Sequence, residues 1–223
     1  MDISLLEKYD SQDMYKTYDK WSQIARESWE SDISEINFEN IDHVIFVGMG
    51  GSGAIGDMFA SILSESKIHV TVVKGFHLPS TINSNSLIIP ISVSGNTQET
   101  LTVLKSAYSL NCNIVTFVSG GEMQKFCLEN KIEYRIVPVH HSPRASFTSY
   151  LYSILRVLSS TLKIKHNDIL ESLEELENLG KNITSSNLTE TNQSINLAKK
   201  ISGIPMIYHP FGLQSAAIRF KNS

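Results

Sequence analysis

From residue 42 onward, short and almost wholly apolar segments alternate with segments of helical spacing. The first apolar segment, His43–Val47, runs directly into the glycine-rich run Gly48–Gly53, and a helix is predicted over Ala54–Leu63. Further strands are predicted at 68–73, 87–91, 113–118 and 134–137, and further helices at 98–110, 123–129 and 146–162. Strands apolar on both faces and separated by helices are typical of a parallel sheet covered on both sides. The pattern predicts an α/β fold with a doubly wound, mostly parallel five-stranded sheet flanked by helices.

The remaining chain divides at changes in composition. Residues 1–40 are polar. Large side chains recur in this segment at helical spacing, at Met14, Tyr18, Trp21 and Ile24. This stripe indicates a helix that packs on the core or contacts another subunit. The domain proper is predicted at 41–162, and the polar stretch 163–200 is predicted as a helical connector. Residues 201–223 repeat the order of apolar run, glycine turn and helix, with Ile204–Tyr208 as the strand. We expect this tail to be the first strand-helix unit of a second, similar domain.

Charge and hydropathy exclude several classes of function. The net charge is −4 and no basic block occurs, so a nucleic-acid-binding surface is not supported. No apolar run reaches the ~18 residues of a membrane span, and the acidic, polar N-terminus does not resemble a secretory signal. The sequence has two cysteines, Cys112 and Cys127, and so low a number favours reduced thiols over a disulfide framework. A cytoplasmic location is the expectation.

The glycine turn after the first strand has the G-x-G-x-x-G spacing at Gly48, Gly50 and Gly53. A dinucleotide-binding fold would also place a carboxylate at the end of the next strand, and this chain has Lys74 there. Lys74 would suit a 2′-phosphate, so an NADP-linked enzyme stays an alternative. The glycines and the Ser52 hydroxyl otherwise allow a ligand to approach the backbone closely.

The turn after the third strand carries three hydroxyls around a glycine, at Ser92, Ser94, Gly95 and Thr97. A helix begins directly after it, and unpaired backbone N–H groups at a helix N-terminus favour an anion. No Lys lies in this turn and no P-loop motif occurs, so neutral donors point to a single phosphate monoester. Asn96 and Glu99 have the spacing of a capping box, which would make Glu99 structural.

A third segment follows the last strand and opens the long helix, with Arg144 as its notable residue. An Arg at a helix start is unfavourable for the helix dipole, which favours a functional role for it toward an anion. His140 and His141 precede it, but no third ligand at metal-binding spacing is visible, so no metal is expected.

Taken together, these segments resemble the bifunctional phosphoglucose/phosphomannose isomerases of the sugar isomerase (SIS) domain superfamily. The resemblance is carried by the glycine run 47–53, the hydroxyl turn 92–100 and Pro-Arg-Ala at 143–145, and by 208–213 and 219–222 in the tail. It implies interconversion of glucose 6-phosphate or mannose 6-phosphate with fructose 6-phosphate through a cis-enediol, in glycolysis or gluconeogenesis, by a homodimer needing no cofactor. It also implies Arg144 as the catalytic residue and the following substrate-binding residues: Gly50, Gly51, Ser52, Ser92, Ser94, Gly95, Thr97.

The resemblance also implies groups that the sequence does not contain. The family's general base is a Glu that follows the Arg-Phe-Lys-Asn run, with a His and a Lys further on, whereas this sequence ends at Ser223. The expectation is therefore either a longer parent enzyme or a shorter module that binds sugar phosphates without isomerising them.

Overall fold

The computed structural model describes residues 3–222. Five strands form one sheet: β1 (His43–Val47), β2 (His69–Val73), β3 (Ser86–Ser92), β4 (Asn113–Val118), β5 (Glu133–Ile136). They lie in the order β2-β1-β3-β4-β5, and every neighbouring pair is parallel. The predicted α/β class and doubly wound arrangement are confirmed, with a sheet that is entirely parallel.

The described residues form ten helices. They are α1 (Ile3–Tyr9), α2 (Met14–Asp19), α3 (Trp21–Trp29), α4 (Gly50–Ile62), α5 (Gln98–Tyr108), α6 (Gly121–Asn130), α7 (Phe147–Leu162), α8 (His166–Ile183), α9 (Gln193–Lys200) and α10 (Gln214–Asn222). None of them is both long and apolar enough to cross a membrane.

Apolar side chains cover both faces of the sheet, because alternate residues of each strand point in opposite directions. On one face Phe46 of β1 stacks on Phe59 of α4, with ring centroids 4.8 Å apart, in a cluster shared with α3, α7 and α8. On the other face Ile45 and Ile88 pack against Val103 of α5. The two central strands β1 and β3 are buried throughout, which explains their continuous apolar sequence.

Pro90 lies inside β3, where a residue without an N–H group is unusual. The β3–β4 ladder pairs Leu87 and Ile88 and then resumes at Ile91 and Ser92, so it is interrupted at Pro90. The strand keeps its full pairing register with β1 on the other side. The gap in one ladder is therefore the place where the sheet accommodates the missing donor.

The N-terminal stripe is divided among short helices rather than one long helix. Met14 and Tyr18 lie in α2, whereas Trp21 and Ile24 lie in α3, which packs on α7 and α8. Ile24 is buried, in agreement with core packing, and Arg26 of α3 pairs with Glu177 of α8 at 2.6 Å. Residues 163–200 contain α8 and α9, so the predicted helical character is present, and their role as a connector between two domains stays a prediction.

The tail differs from its prediction at the strand. Residues 204–208 form no strand with any of residues 3–222 and expose most of their apolar side chains, because no partner strand lies beside them. The predicted helix is present as α10, and it packs on α4. Ser215 donates to the carbonyl of Ala54, and Ser61 donates to the carbonyl of Gly212, each at 2.7 Å. Assignment of this tail to a second domain stays a prediction.

Candidate functional site at the carboxyl ends of β1 and β3

The order of the strands places a topological switch point between β1 and β3, and the space outside the carboxyl ends of these two strands is called the crevice below. The chain leaves β1 toward β2 on one side and leaves β3 toward β4 on the other, so the connections diverge between these two neighbours. Open parallel sheets bind ligands at such a switch point, outside the carboxyl ends of the strands. The glycine run after β1 and the hydroxyl turn after β3 both open at this point.

The glycine run is the first turn of α4 rather than a loop. The helix begins at Gly50, four positions before its predicted start at Ala54, and Gly51, Ser52 and Gly53 follow within its first turn. Gly50 has φ of +54°, a left-handed conformation that favours glycine. Met49, the N-cap residue, makes no side-chain cap. The Ser52 and Gly53 N–H groups donate to its carbonyl, which leaves those of Gly50 and Gly51 without a partner among the described residues.

The alternative of an NADP site requires a Lys74 ammonium that is available to a 2′-phosphate, and the structure shows it already paired. Its ammonium pairs with Asp57 of α4, Nζ to Oδ2 2.5 Å, and the Asp57 side chain is 5% exposed. The Lys74 stem crosses Gly53, where an added Cβ would lie 3.1 Å from Cε. The third glycine of the fingerprint therefore makes room for this lysine, which weakens the interpretation of the run as a dinucleotide site.

The turn after β3 is held by its own hydroxyls. Ser92 is buried, and its Oγ accepts from the Gly95 N–H at 3.1 Å and lies 3.0 Å from the Thr97 Oγ1. Ser94 is exposed, and its Oγ accepts from the Asn96 N–H at 3.2 Å. Ser94 and Thr97 thus reach the open side of the turn, whereas Ser92 shapes it from beneath.

The predicted capping box at Asn96 and Glu99 is wrong. Thr97 is the N-cap residue of α5 and makes no side-chain cap, because its hydroxyl is bonded to Ser92 instead. The Asn96 Oδ1 accepts from the Glu122 N–H at 3.0 Å, so this side chain serves the start of α6. The N-terminus of α5 is consequently left with unpaired N–H groups, which suits an anion more than a capped helix would.

Gly120 and Gly121 belong to the site's construction, and sequence reasoning did not select them. Gly121 has φ of +76° and lies against the Ser94 carbonyl, 2.6 Å from where its Cβ would stand. The Met123 N–H donates to the Gly95 carbonyl at 2.9 Å, and Ser119 donates to the Val93 carbonyl. The sequence feature that could have identified these residues is a Gly-Gly pair between a predicted strand and a predicted helix.

The third segment lies beside the glycine run. The Pro143 carbonyl is 3.9 Å from the Cβ position of Gly51, so the turn before α7 closes one side of the crevice. Arg144 in this turn is exposed and makes no hydrogen bond or ion pair with any other residue between 3 and 222. Its guanidinium is therefore available to an anionic ligand.

The two histidines before Arg144 have structural partners. The His140 N–H donates to the Ser146 Oγ at 2.9 Å, and partial burial lowers the pKa of the His140 imidazole. The His141 ring nitrogen lies 2.8 Å from the carbonyl of Gln12 in the N-terminal segment. Among the residues that the structure describes, no group of three or more His, Cys, Asp or Glu side chains is arranged to hold a metal ion.

The three segments therefore meet at one edge of the sheet. Two helix N-termini without side-chain caps, those of α4 and α5, lie beside the exposed Ser94 and the half-buried Thr97, and the exposed guanidinium of Arg144 lies on the third side. Neutral donors of this kind, with helix dipoles behind them, stabilise a single anionic group. The arrangement can hold a phosphate on the β3 side and a polar ligand between Gly51 and Arg144.

Comparison with known proteins agrees with this geometry. The SIS domain family model matches residues 37–161. Bifunctional phosphoglucose/phosphomannose isomerases are similar over most of the chain: that of Caldicellulosiruptor bescii is 28% identical over 180 residues, and that of Thermoplasma acidophilum is 29% identical over 182. The matches cover 78% and 80% of this chain but 52% and 53% of those relatives. The chain thus spans about half the length of the curated relatives it matches.

A solved structure supports the fold. The C-terminal domain of glucosamine-fructose-6-phosphate aminotransferase from Francisella tularensis superimposes with a TM-score of 0.55 at 18% sequence identity, covering 76% of this chain and 52% of that one. At this identity the likeness concerns the arrangement of strands and helices alone.

Proposed function

The chain belongs to the SIS domain family, and from that membership and the geometry of the crevice we propose that it is a phosphosugar isomerase or a part of one. The substrates would be glucose 6-phosphate and mannose 6-phosphate, each converted to fructose 6-phosphate. The single observation that carries the proposal is the turn 92–97, whose hydroxyls, exposed at Ser94 and half-buried at Thr97, lie beside the N-terminus of α5, which has no side-chain cap. The named relatives, all of them acting on hexose phosphates by their names, support the same substrate class.

The phosphate would be bound by neutral donors. The hydroxyls of Ser94 and Thr97 and the first N–H groups of α5 would donate to its oxygens, while Ser92 would orient Thr97. The left-handed conformation of Gly95, φ +66°, lets the backbone of the turn curve around the anion. A lone phosphate monoester fits such a turn, because the helix dipole adds to the neutral donors.

The sugar would extend from the phosphate toward the glycine run. Gly50, Gly51 and Ser52 would line this end, since the absence of side chains on the glycines lets the sugar approach the backbone. Removal of the C2 proton from the open-chain sugar gives an enediolate, and the guanidinium of Arg144 would stabilise its negative charge. That is the role in which we propose Arg144 as the catalytic residue.

A second candidate, a module that binds sugar phosphates without turnover, is favoured by the carboxylates. Proton transfer at C2 needs a base within hydrogen-bond reach. Among residues 3–222, Asp57 is paired with Lys74 and Glu122 with Lys125. Glu99, in the first turn of α5, stands on the phosphate side of the crevice. None of these three carboxylates is thus an unpaired base at the glycine run.

Calorimetry and a turnover assay separate the two candidates. We expect the protein to bind glucose 6-phosphate and not glucose, and Ser94→Ala to weaken that binding about tenfold, as loss of one charge-assisted hydrogen bond does. Ser109→Ala, at the opposite and exposed end of α5, is the matched control. Unchanged affinity in Ser94→Ala would refute the phosphate site. Formation of fructose 6-phosphate identifies the isomerase, and binding without turnover identifies the module.

We also propose a homodimer in the cytoplasm, because the resemblance implies the dimer and the apolar residues 204–213 are largely exposed. Light scattering of the purified protein tests the dimer: a mass of one chain at micromolar concentration would contradict it.

A further inference from the structure

The turn that carries Arg144 is tied to a segment outside the region that the family model matches. The indole N–H of Trp21, in α3, donates to the carbonyl of Ala145 at 2.7 Å. The Ala145 residue is fully buried, so this carbonyl has no access to solvent as a substitute partner. Trp21 lies 16 residues before the matched range 37–161 begins.

The Trp21 ring is itself held from several sides. It packs against Tyr18 at 4.7 Å and stacks on Phe147, the first residue of α7, at 6.4 Å between centroids. The guanidinium of Arg219 in α10 lies 5.5 Å from the Trp21 ring and 5.0 Å from the Phe147 ring. A cation over two aromatic rings stabilises their arrangement. The indole therefore joins α3, α7 and α10 at the point where the Arg144 turn enters its helix.

The turn has internal bonds that fix its shape but not its position. The Ser146 N–H donates to the Ser142 carbonyl at 3.0 Å, and the Ser146 Oγ donates to the same carbonyl at 2.8 Å. Position relative to the sheet comes from outside the turn, through Trp21 and through the His141 ring against the Gln12 carbonyl. Both outside ties come from the N-terminal helical segment.

We propose that Trp21 is a positioning residue for Arg144: its hydrogen bond to Ala145 fixes the turn so that the guanidinium faces the sugar end of the crevice. This inference rests on the proposed function. A displacement of about 1 Å in a group that stabilises a transition state is enough to lower the rate about a hundredfold. The N-terminal helical segment is then part of the site, although it lies outside the sheet domain.

Trp21→Phe tests the proposal, because it keeps an aromatic ring in the stack and removes the N–H donor. Trp29→Phe is the matched control: it makes the same chemical change in the same helix at a residue that is 8% exposed. In the part of the chain that the structure describes, the Trp29 indole makes no hydrogen bond. Hydrogen exchange of the amides of Ser142, Ala145 and Ser146 is the first measurement. We expect Trp21→Phe to raise their exchange roughly tenfold, the effect of one hydrogen bond, and Trp29→Phe to leave it unchanged.

His141→Asn is a second variant in case Trp21→Phe does not fold. His141 is exposed with φ of +60°, a conformation that Asn tolerates, and the shorter side chain does not reach the Gln12 carbonyl. We expect the same amides to exchange faster, by a smaller factor. Unchanged exchange in both variants would overturn the positioning role.

Binding of two probes links the turn to the reaction without requiring turnover. Arabinonate 5-phosphate carries a carboxylate with the charge of the enediolate, and arabinitol 5-phosphate has a neutral alcohol in its place. We expect the wild type and Trp29→Phe to prefer the aldonate, and Trp21→Phe to lose about tenfold of that preference while its affinity for the alditol is kept. A preference kept in Trp21→Phe would overturn the inference. A wild type that binds neither probe would refute the proposed function instead, and exchange would still decide whether Trp21 holds the turn.

Discussion

Gly95 stands where two loops of the candidate site touch, and Gly95→Ala is the sharpest test of that packing. An added Cβ would lie 1.8 Å from the Gly120 carbonyl oxygen and 2.7 Å from its carbon, both of them backbone atoms that no rotamer change can move. The same residue has φ of +66°, which costs an L-residue roughly 1–2 kcal/mol. The methyl group must therefore push the turn after β3 away from the start of α6.

The displacement breaks hydrogen bonds as well. The Gly95 carbonyl accepts from Met123 at 2.9 Å, and the neighbouring Asn96 side chain accepts from Glu122 at 3.0 Å. Each net hydrogen bond contributes about 1 kcal/mol. Together with the strain we expect Gly95→Ala to lower the free energy of unfolding by about 3–4 kcal/mol, and to weaken hexose-phosphate binding at least tenfold.

Substitutions at two further glycines distinguish the cost of a positive φ from the cost of a steric clash of the added Cβ. Gly50 has φ of +54° but nothing within 4 Å of its Cβ position, so Gly50→Ala should cost only the strain, about 1–2 kcal/mol. Gly75 has neither a positive φ nor a close neighbour, so Gly75→Ala should stay within about 0.5 kcal/mol of the wild type. Urea unfolding of the three variants gives the order directly. Gly95→Ala as stable as Gly50→Ala would refute the contact between the two loops.

Three other predictions concern groups around the same sheet. Ser92→Ala should cost about 1–2 kcal/mol of unfolding free energy as well as phosphate affinity, because buried Ser92 holds the turn, whereas exposed Ser94→Ala should cost affinity alone; urea unfolding and calorimetry distinguish them. Lys74→Met should destabilise by about 3 kcal/mol at pH 7, since it leaves the buried Asp57 carboxylate without its cation and with only the Gln214 amide, at 3.4 Å, as a donor; adding Asp57→Asn should recover most of that loss in thermal melts. Burial, and then the charge of the neighbouring histidine, lower the pKa of His43 in the folded state, so stability is complete above the unfolded pKa of about 6.5 and falls as pH drops through the lower folded pKa. His43→Gln should therefore lose less stability than the wild type between pH 7.5 and pH 5 in urea titrations, and an equal loss would contradict this role.

The strands were predictable because a strand that is buried on both faces has a continuous run of apolar residues. The central strand β1 matches its prediction at both ends, and β3 extends the predicted run by one residue on each side. The edge strand β2 is half exposed, and its predicted start at Ile68 is one residue early. The unit at 204–208 has the same apolar character, but a strand also requires a neighbour, and none of the described residues supplies one. The apolar composition of a segment indicates that it can be buried, whereas its pairing as a strand depends on which segment lies beside it in the fold.

The candidate site was predictable to the extent that it is local. The turn 92–97 and the glycine run follow strands and open helices, so their chemistry can be read from consecutive residues. Asn96 shows where this fails: its spacing to Glu99 indicates a local cap, yet Thr97 is the N-cap residue of α5, and the Asn96 side chain accepts from the Glu122 N–H, 26 positions away. Long-range partners of this kind leave no periodic signal.

The three hydroxyls of the turn 92–97 have different structural roles. Ser92, Ser94 and Thr97 are equivalent as donors in the sequence, but Ser92 is the last residue of β3 and is buried with the sheet, whereas Ser94 lies in the turn beyond the strand and is exposed. A buried hydroxyl that accepts from Gly95 cannot be replaced by water, whereas an exposed one is free to exchange water for phosphate. Binding by neutral groups thus needs one hydroxyl to fix the backbone of the turn so that the others, with the helix N–H groups, point at one place. In the proposed site, buried Ser92 would supply this rigidity and exposed Ser94 would be left to donate to the phosphate.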